Sequence, residues 1–249
     1  MSNVVMYIVT PCVIINAFSA TLYQKTELLG LLKNMGLVAL IAIISHILMI
    51  VAVKLIFRFN NENRRRIMRF AAVFSNAGFV ALPLAQALID TPTFHEGALY
   101  AAVFLAVFNT FIWTWGLVNM SGEKKNMSWR KIVFNPGIVG VVVGLFIFTT
   151  PLYINGGIVF PSIISEALTS ISALNLPLPM LMVGYYLGKA DLIAAFRDGW
   201  SYFCMALRLL VFPFATLAVL YALGVRGNVL IVSVIGAVAV DLIIYLVLK

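Results

Sequence analysis

The stretch Phe74-Ser-Asn-Ala-Gly-Phe-Val-Ala-Leu-Pro83 decides how this chain is built. It lies within an apolar segment, yet it contains Gly78 and Pro83 beside the polar residues Ser75 and Asn76. Proline has no backbone N–H, and lipid offers no substitute partner to the backbone groups that a break in a helix frees. The stretch therefore predicts either a broken helix at mid-membrane depth or a proline kink that neighbouring helices satisfy.

The composition around this stretch is that of a membrane protein. Of the 249 residues, 63% are hydrophobic and only 10% are charged, and the mean hydropathy is +1.05. Soluble domains carry about 25% charged residues, so a water-soluble globular protein is excluded. The net charge of +8 comes from basic residues that lie mostly between apolar segments. We therefore expect a lipid bilayer, and no nucleic acid, as the partner of the chain.

Eight apolar segments are long enough to span a bilayer, which takes about 20 residues for a helix. The sequence thus predicts an all-α polytopic membrane protein with short connections and no sizeable soluble domain. We label the predicted spans A to H, and they cover residues 3–23, 35–58, 67–90, 95–119, 132–150, 161–189, 200–223 and 228–248.

The distribution of Lys and Arg predicts the orientation of these spans. Loops on the cytoplasmic side of a membrane are enriched in both residues. The B–C, D–E and F–G connections and the span ends beside them hold twelve of them, whereas the alternate connections hold three. We therefore expect the first set of loops, and both ends of this chain, in the cytoplasm of a cell whose inner (plasma) membrane holds the protein.

Spans A and F have prolines, Pro11 and Pro177, that are 166 residues apart. The same offset carries span B onto span G and the start of span C into span H. Because A and F are an odd number of spans apart, the second half would be inverted in the membrane. Spans D and E find no counterpart within the chain. The expectation is a 5+5 inverted repeat whose sequence is clipped at both ends.

Three motifs together resemble one family. The Asn-x-Gly-x-x-x-x-Pro pattern of Asn76–Pro83 resembles the crossover of the auxin efflux carrier family, which includes plant carriers and bacterial organic-anion permeases. Asn135-Pro-Gly-Ile138, followed by Gly140 and Gly144, is similar to the start of its sixth helix. The stretch from Leu174 to Gly188 is similar to its seventh. The order and spacing of these motifs cover nearly the whole chain.

The resemblance implies a fold of two inverted five-helix repeats, also described as bile-acid-symporter-like, in a single membrane domain. Residues 1–23 and 132–189 would form a scaffold, and residues 35–119 and 200–249 a moving transport domain. It implies a secondary active transporter that moves a small organic anion, such as a dicarboxylate or an auxin-like acid, by alternating access. A homodimer through the scaffold helices is one option for assembly.

The candidate substrate-binding residues lie at polar or proline positions within the spans. The N–H groups of a half-helix carry partial positive charge and suit a carboxylate, and polar side chains beside them would complete the site. The asparagines outside span C could instead form hydrogen bonds between helices. The candidates are Ser75, Asn76, Gly78 and Pro83 in span C, Asn16 in span A, Asn175 and Pro177 in span F, and Arg208 in span G.

Three of the intramembrane ionisable residues have two interpretations each. Arg208 could draw an anion into the site or could extend to the cytoplasmic interface. His46 could couple transport to protons or could be a hydrogen-bonded core residue. Asp241 could carry a proton, but it lies in a C-terminal stretch that matches the family poorly.

No motif of an enzyme was found: HExxH, GxSxG and the Walker A pattern are missing from the sequence. We therefore expect no enzymatic activity, no cofactor and no metal site, and interpret Cys12 and Cys204 as packing residues. Two alternatives stay open at this point. One is a sodium-coupled symporter of the bile-acid type with the same fold, and the other is a truncated membrane fragment that does not transport.

Overall fold

A computed structural model describes residues 2–20, 27–74, 84–85, 88–89, 94–122, 134–150, 161–189 and 198–238. Within these ranges the chain is helical and contains no strand, as its composition predicted. In chain order the helices are α1 (2–20), α2 (Leu28–Ile56), α3 (Glu62–Val73), α4 (94–121), α5 (Pro136–Thr149), α6 (Ser162–Ala173), α7 (Pro177–Leu187), α8 (Gly199–Ala222) and α9 (Gly227–Val238).

Several of these helices can cross a membrane by length and composition. In the part of the chain that the structure describes, four stretches qualify, namely Leu28–Ile56, Glu96–Ser121, Ser162–Leu187 and Gly199–Ala222. Three shorter apolar helices accompany them, at Val5–Ser19, Pro136–Thr149 and Gly227–Ala237. The protein is therefore a multi-pass membrane protein. The count of eight spans and the 5+5 inverted repeat stay predictions.

The helix that leads into the stretch 74–83 begins earlier than the predicted start of span C at 67. It starts at Glu62 because the side chain of Asn61 accepts a hydrogen bond from the Arg64 N–H at 3.1 Å and so caps the helix. The helix ends at Val73, and Phe74 is extended, with φ −94° and ψ 129°. Similarly, α2 begins at Leu28 and not at 35, since the polar residues of its first turns are part of the helix.

Two of the three π-helical turns among the described residues each end two positions before a proline. Val5–Val9 precedes Pro11 within α1, and Leu207–Val211 precedes Pro213 within α8. A proline ring clashes with the carbonyl four residues earlier and offers it no N–H. A wider turn relieves this conflict, and the Thr10 hydroxyl additionally donates to Val5 O at 3.0 Å. Both helices therefore continue past their prolines.

Helix α1 packs closely along α5 at two glycines of α5. A Cβ atom added at Gly140 would lie 3.1 Å from Pro11 Cα, and one added at Gly144 would lie 2.7 Å from Phe18 Cδ2. Glycines at a helix contact let the two backbones approach each other, which gives close packing in a lipid environment where burial of apolar surface drives little association. The glycines of the predicted sixth-helix motif thus have a structural reason to be glycine.

The contact between α1 and α5 predicts that one glycine substitution lowers the stability of the protein and that a second one, away from the contact, does not lower it comparably. Gly140→Val is expected to lower the stability of the protein by about 1–3 kcal/mol, because the added side chain meets the Pro11 backbone. Gly184→Val is the matched control, since nothing lies within 4 Å of a Cβ atom at that position. Thermal unfolding of the purified protein in detergent would measure both. Equal melting temperatures for the two variants would contradict the close contact.

Candidate functional site

Helices α3 and α8 run parallel, side by side, and both begin at the same end of the molecule. At their starts, Arg64 Nη2 lies 2.7 Å from Asp198 Oδ1 in a salt bridge. Further along, the Cys204 thiol donates to Met68 O at 3.9 Å. From the first contact to the second, α3 advances by four residues and α8 by six, which are about one turn and about one and a half turns. The pair is therefore aligned in register from its first turn.

Arg208 makes the next contact along this pair. Its Nη1 donates to Val73 O at 2.7 Å and to Ala72 O at 3.2 Å, and it lies 3.0 Å from Met49 Sδ of α2. The residue is only 4% exposed, and Ala72, Val73 and Phe74 are buried as well. The guanidinium of α8 therefore lies at the end of α3, immediately before Ser75.

The electrostatics of this contact follow from the direction of α3. The last carbonyls of a helix lack partners within the helix and carry partial negative charge, so a cation is stabilised beside them. Arg208 belongs to the π-helical turn Leu207–Val211 of α8. The arrangement satisfies the buried carbonyls and concentrates positive charge next to the stretch that the sequence singles out.

His46 lies one turn before Met49 on α2 and is buried, with 1% exposure. Its Nδ1 is 2.7 Å from Ala42 O, and its ring stacks on Phe111 with a centroid distance of 5.0 Å and an interplanar angle of 14°. Two further phenylalanines of α4 contact the ring from 5.7 and 5.9 Å. These contacts are typical of a packed core histidine. A proton-coupling role for His46 stays a prediction.

The other described candidates lie elsewhere. Asn16 of α1 is near α6, with its Oδ1 3.5 Å from Thr169 Oγ1. Asn175 is 6% exposed in the turn between α6 and α7, and Pro177 is the first residue of α7, a position that suits proline. The structure thus brings Arg208 and His46 close to each other along α2, and it does not bring Asn16, Asn175 and Pro177 to the same place.

Five candidates lie outside the residues that the structure describes: Ser75, Asn76, Gly78, Pro83 and Asp241. Their proposed roles stay predictions. The structure does describe Phe74 and its surroundings, and Phe74 is the residue that leads into the stretch with the first four of these candidates.

The arginines of α3 bind the ends of neighbouring helices. Arg69 donates to Phe57 O at 3.0 Å and to Lys54 O at 3.2 Å, at the C-terminal end of α2. Arg66 donates to Met120 O at 3.4 Å, at the C-terminal end of α4. Carbonyls at a helix end favour a positive charge, so these contacts are favourable. The basic cluster that predicts orientation therefore also organises one end of the helix bundle.

A second polar network, which sequence reasoning missed, joins α2, α4 and α9. The Tyr100 hydroxyl donates to Glu96 Oε1 at 3.0 Å and accepts a hydrogen bond from Asn34 Nδ2 at 3.0 Å. Asn228 Nδ2 donates to Glu96 Oε2 at 3.1 Å. The available signal was the spacing of Glu96 and Tyr100, which places both on one face of a helix. Their partners are too distant in sequence to be recognised.

The apolar helices are those of a multi-pass membrane protein, and Arg208 is buried among them. A family model described as "Membrane transport protein" matches residues 1–244, and the chain belongs to this family, that of the auxin efflux carriers. The resemblance drawn from the motifs is thereby confirmed. The family and its relatives are named for transport and not for enzymatic catalysis, as the sequence predicted.

The curated relatives are plant proteins that match part of this chain. "Probable auxin efflux carrier component 1b" of Oryza sativa subsp. japonica is 30% identical over 111 residues, which are 45% of this chain and 20% of that protein. "Auxin efflux carrier component 3" of Arabidopsis thaliana is 26% identical over 111 residues, 45% of this chain and 17% of that protein. The match thus spans about a fifth of these relatives' length. No solved structure matches the chain.

The network around Tyr100 gives a prediction for stability. Tyr100→Phe removes a buried hydroxyl that donates to Glu96 and accepts from Asn34, so we expect stability to fall by about 1–3 kcal/mol. The control is Tyr7→Phe, because Tyr7 is 59% exposed. Thermal unfolding in detergent would compare the two. A loss as small for Tyr100→Phe as for Tyr7→Phe would show that the network does not hold α2, α4 and α9 together.

Proposed function

We propose that this protein is a secondary active transporter that moves a small organic anion, such as a dicarboxylate or an auxin-like acid, by alternating access. One observation carries the proposal: the buried Arg208 guanidinium lies at the end of α3, immediately before Ser75 and the Asn-x-Gly-x-x-x-x-Pro stretch. Membership of the membrane transport family supports the same activity.

The chemistry of the stretch suits a carboxylate. A carboxylate that leaves water needs hydrogen-bond donors in exchange, and backbone N–H groups at a break in a helix supply them together with partial positive charge. In the proposed site Asn76 is the polar ligand, Gly78 allows the substrate close to the backbone, and Pro83 maintains the break. The charge of Arg208 raises the electrostatic potential beside this site and so favours an anion.

The division into scaffold and transport domain is part of the proposal. Within the transport group, contacts between Arg64 and Asp198 join α3 to α8, and the Tyr100 network joins α2, α4 and α9. Within the scaffold group, α1 packs on α5 at Gly140. Between the groups, Asn135 Nδ2 donates to Asn109 O at 3.5 Å, a long hydrogen bond. The contacts within each group hold that group together, as motion of one group against the other requires.

The proposed setting is the plasma membrane, with both ends of this chain in the cytoplasm according to the positive-inside rule. The proposed coupling is to protons or to the membrane potential, with His46 and Asp241 as the proton-binding candidates. Scaffold helices α6 and α7 expose large apolar side chains, among them Ile163 at 78% and Leu181 at 60%. Such a surface suits lipid or the same surface of a second copy in a homodimer.

Transport in proteoliposomes tests the proposal. The purified protein is expected to take up a radiolabelled dicarboxylate or indole acetic acid along an imposed gradient. Asn76→Ala is expected to lower the rate at low substrate concentration by about tenfold to a hundredfold, the worth of a hydrogen bond to a charged group. Asn3→Ala, at an exposed position of α1, is the control.

Three outcomes would be informative. Unchanged flux in Asn76→Ala would remove the stretch after α3 from the substrate site. Flux that requires a sodium gradient, and is indifferent to pH, would favour the sodium-coupled alternative. A protein that is folded but moves none of the anions tested would contradict the proposed activity.

A further inference from the structure

We propose that Arg208 is a positioning residue: its guanidinium acts as the C-terminal cap of α3 and fixes the point from which the chain continues into Ser75–Pro83. The capping itself is independent of transport. Its importance for transport rests on the proposed function, in which that stretch binds the substrate. A helix of one half of the predicted repeat would thus hold the start of the site in the other half.

The C-terminal end of α3 is buried inside the protein. Ala72 and Val73 are 0% exposed and Phe74 is 1% exposed, so water cannot satisfy the last carbonyls of the helix. Phe74 N still donates to Phe70 O at 2.9 Å, but the backbone of Phe74 itself is extended and no longer helical. Buried carbonyls require partners from the protein. The two that face α8 receive them from Arg208 Nη1.

The contact of Arg208 with α3 is the last of several contacts along the aligned pair of α3 and α8. The Arg64–Asp198 salt bridge and the contact of Cys204 with Met68 O hold α8 parallel to α3. Arg208 follows Cys204 by four residues, as Ala72 follows Met68. The register of the pair is set from its first turn. As a consequence, the guanidinium of Arg208 reaches the last carbonyls of α3.

The environment of Arg208 favours capping over the two roles that the sequence left open. A residue that extends to the membrane interface would expose its head group, whereas Arg208 is 4% exposed. Direct binding of substrate would use the donors of the guanidinium, and Nη1 is already directed at two backbone carbonyls and the Met49 thioether. The observed donors of Nη1 serve the protein's own backbone.

Arg226 provides a matched comparison within the same protein. Its Nη1 also donates to two backbone carbonyls, Tyr221 O and Val225 O, both at 2.8 Å. Arg226, however, is exposed and binds carbonyls near its own position in sequence. Removing Arg226 therefore removes an arginine–carbonyl contact of similar geometry without touching the end of α3.

Hydrogen–deuterium exchange of the purified full chain in detergent measures the cap directly, without substrate. Arg208→Met is expected to speed amide exchange in the last turn of α3, in a peptide covering 68–74, by about tenfold or more, because the charged hydrogen bonds that oppose local opening are gone. Exchange in α5 is expected to stay unchanged. Arg226→Met is expected to leave the 68–74 peptide as in the wild type.

Two milder variants keep the test decisive if Arg208→Met does not fold. Arg208→Lys retains the charge on a shorter side chain without the planar guanidinium, so it reaches the two carbonyls less well, and we expect faster exchange in the same peptide by a smaller factor, about threefold. Met49→Leu removes only the thioether contact and is expected to leave exchange close to the wild type. Wild-type exchange at 68–74 in folded Arg208→Met or Arg208→Lys protein would overturn the inference.

Transport assays on the same variants separate this inference from the proposed function. If Arg208 positions the stretch, Arg208→Lys lowers the maximal rate and speeds exchange at 68–74 even when no anion is present. If Arg208 binds the anion directly, Arg208→Lys raises KM and leaves exchange without substrate unchanged, which contradicts positioning. If the wild-type protein transports no organic anion but the exchange pattern holds, the cap is supported and the proposed function fails.

Discussion

A helix that ends inside a protein leaves carbonyl oxygens that neither water nor lipid can satisfy. Helix α3 ends in this way at Val73, and the arrangement of its neighbours follows from that constraint. The guanidinium of Arg208 reaches the carbonyls of Ala72 and Val73 only if α8 runs parallel to α3 in the observed register. The salt bridge between Arg64 and Asp198 sets that register at the other end of the pair.

Other helix ends in the described part of the chain are satisfied in the same manner. Arg69 binds the carbonyls that end α2, and Arg66 binds one that ends α4. Both arginines belong to the basic cluster whose position predicts which loops are cytoplasmic. A single short helix therefore contributes the charges that orient the chain and the donors that join its neighbours, so substitutions in it are expected to affect assembly as well as topology.

The sequence was sufficient for the class, the family and most of the helices, because apolar length and motif order are local properties. It was insufficient where partners are distant. Arg208 and Ala72 are 136 residues apart, so the sequence near either residue does not indicate their contact. The start of α3 predicted from apolar residues is too late because the first turn of the helix is polar, although Asn61 is a recognisable cap. The polar stretch after Phe74 remains known from its residues alone, since Gly78 and Pro83 indicate a break without giving its geometry.

The π-helical turn at Leu207–Val211 limits how the length of α8 can vary. A π turn holds about one residue more than an α turn, so it is equivalent to a one-residue insertion retained in the helix. Because the wider turn absorbs the additional residue, the parts of α8 before and after it keep nearly the orientation that an uninterrupted α-helix would give them. Deleting one residue of the turn is therefore expected to leave both parts of α8 facing their present neighbours. Inserting one residue elsewhere in the helix would instead rotate one part by about 100° relative to the other, unless a second wide turn formed.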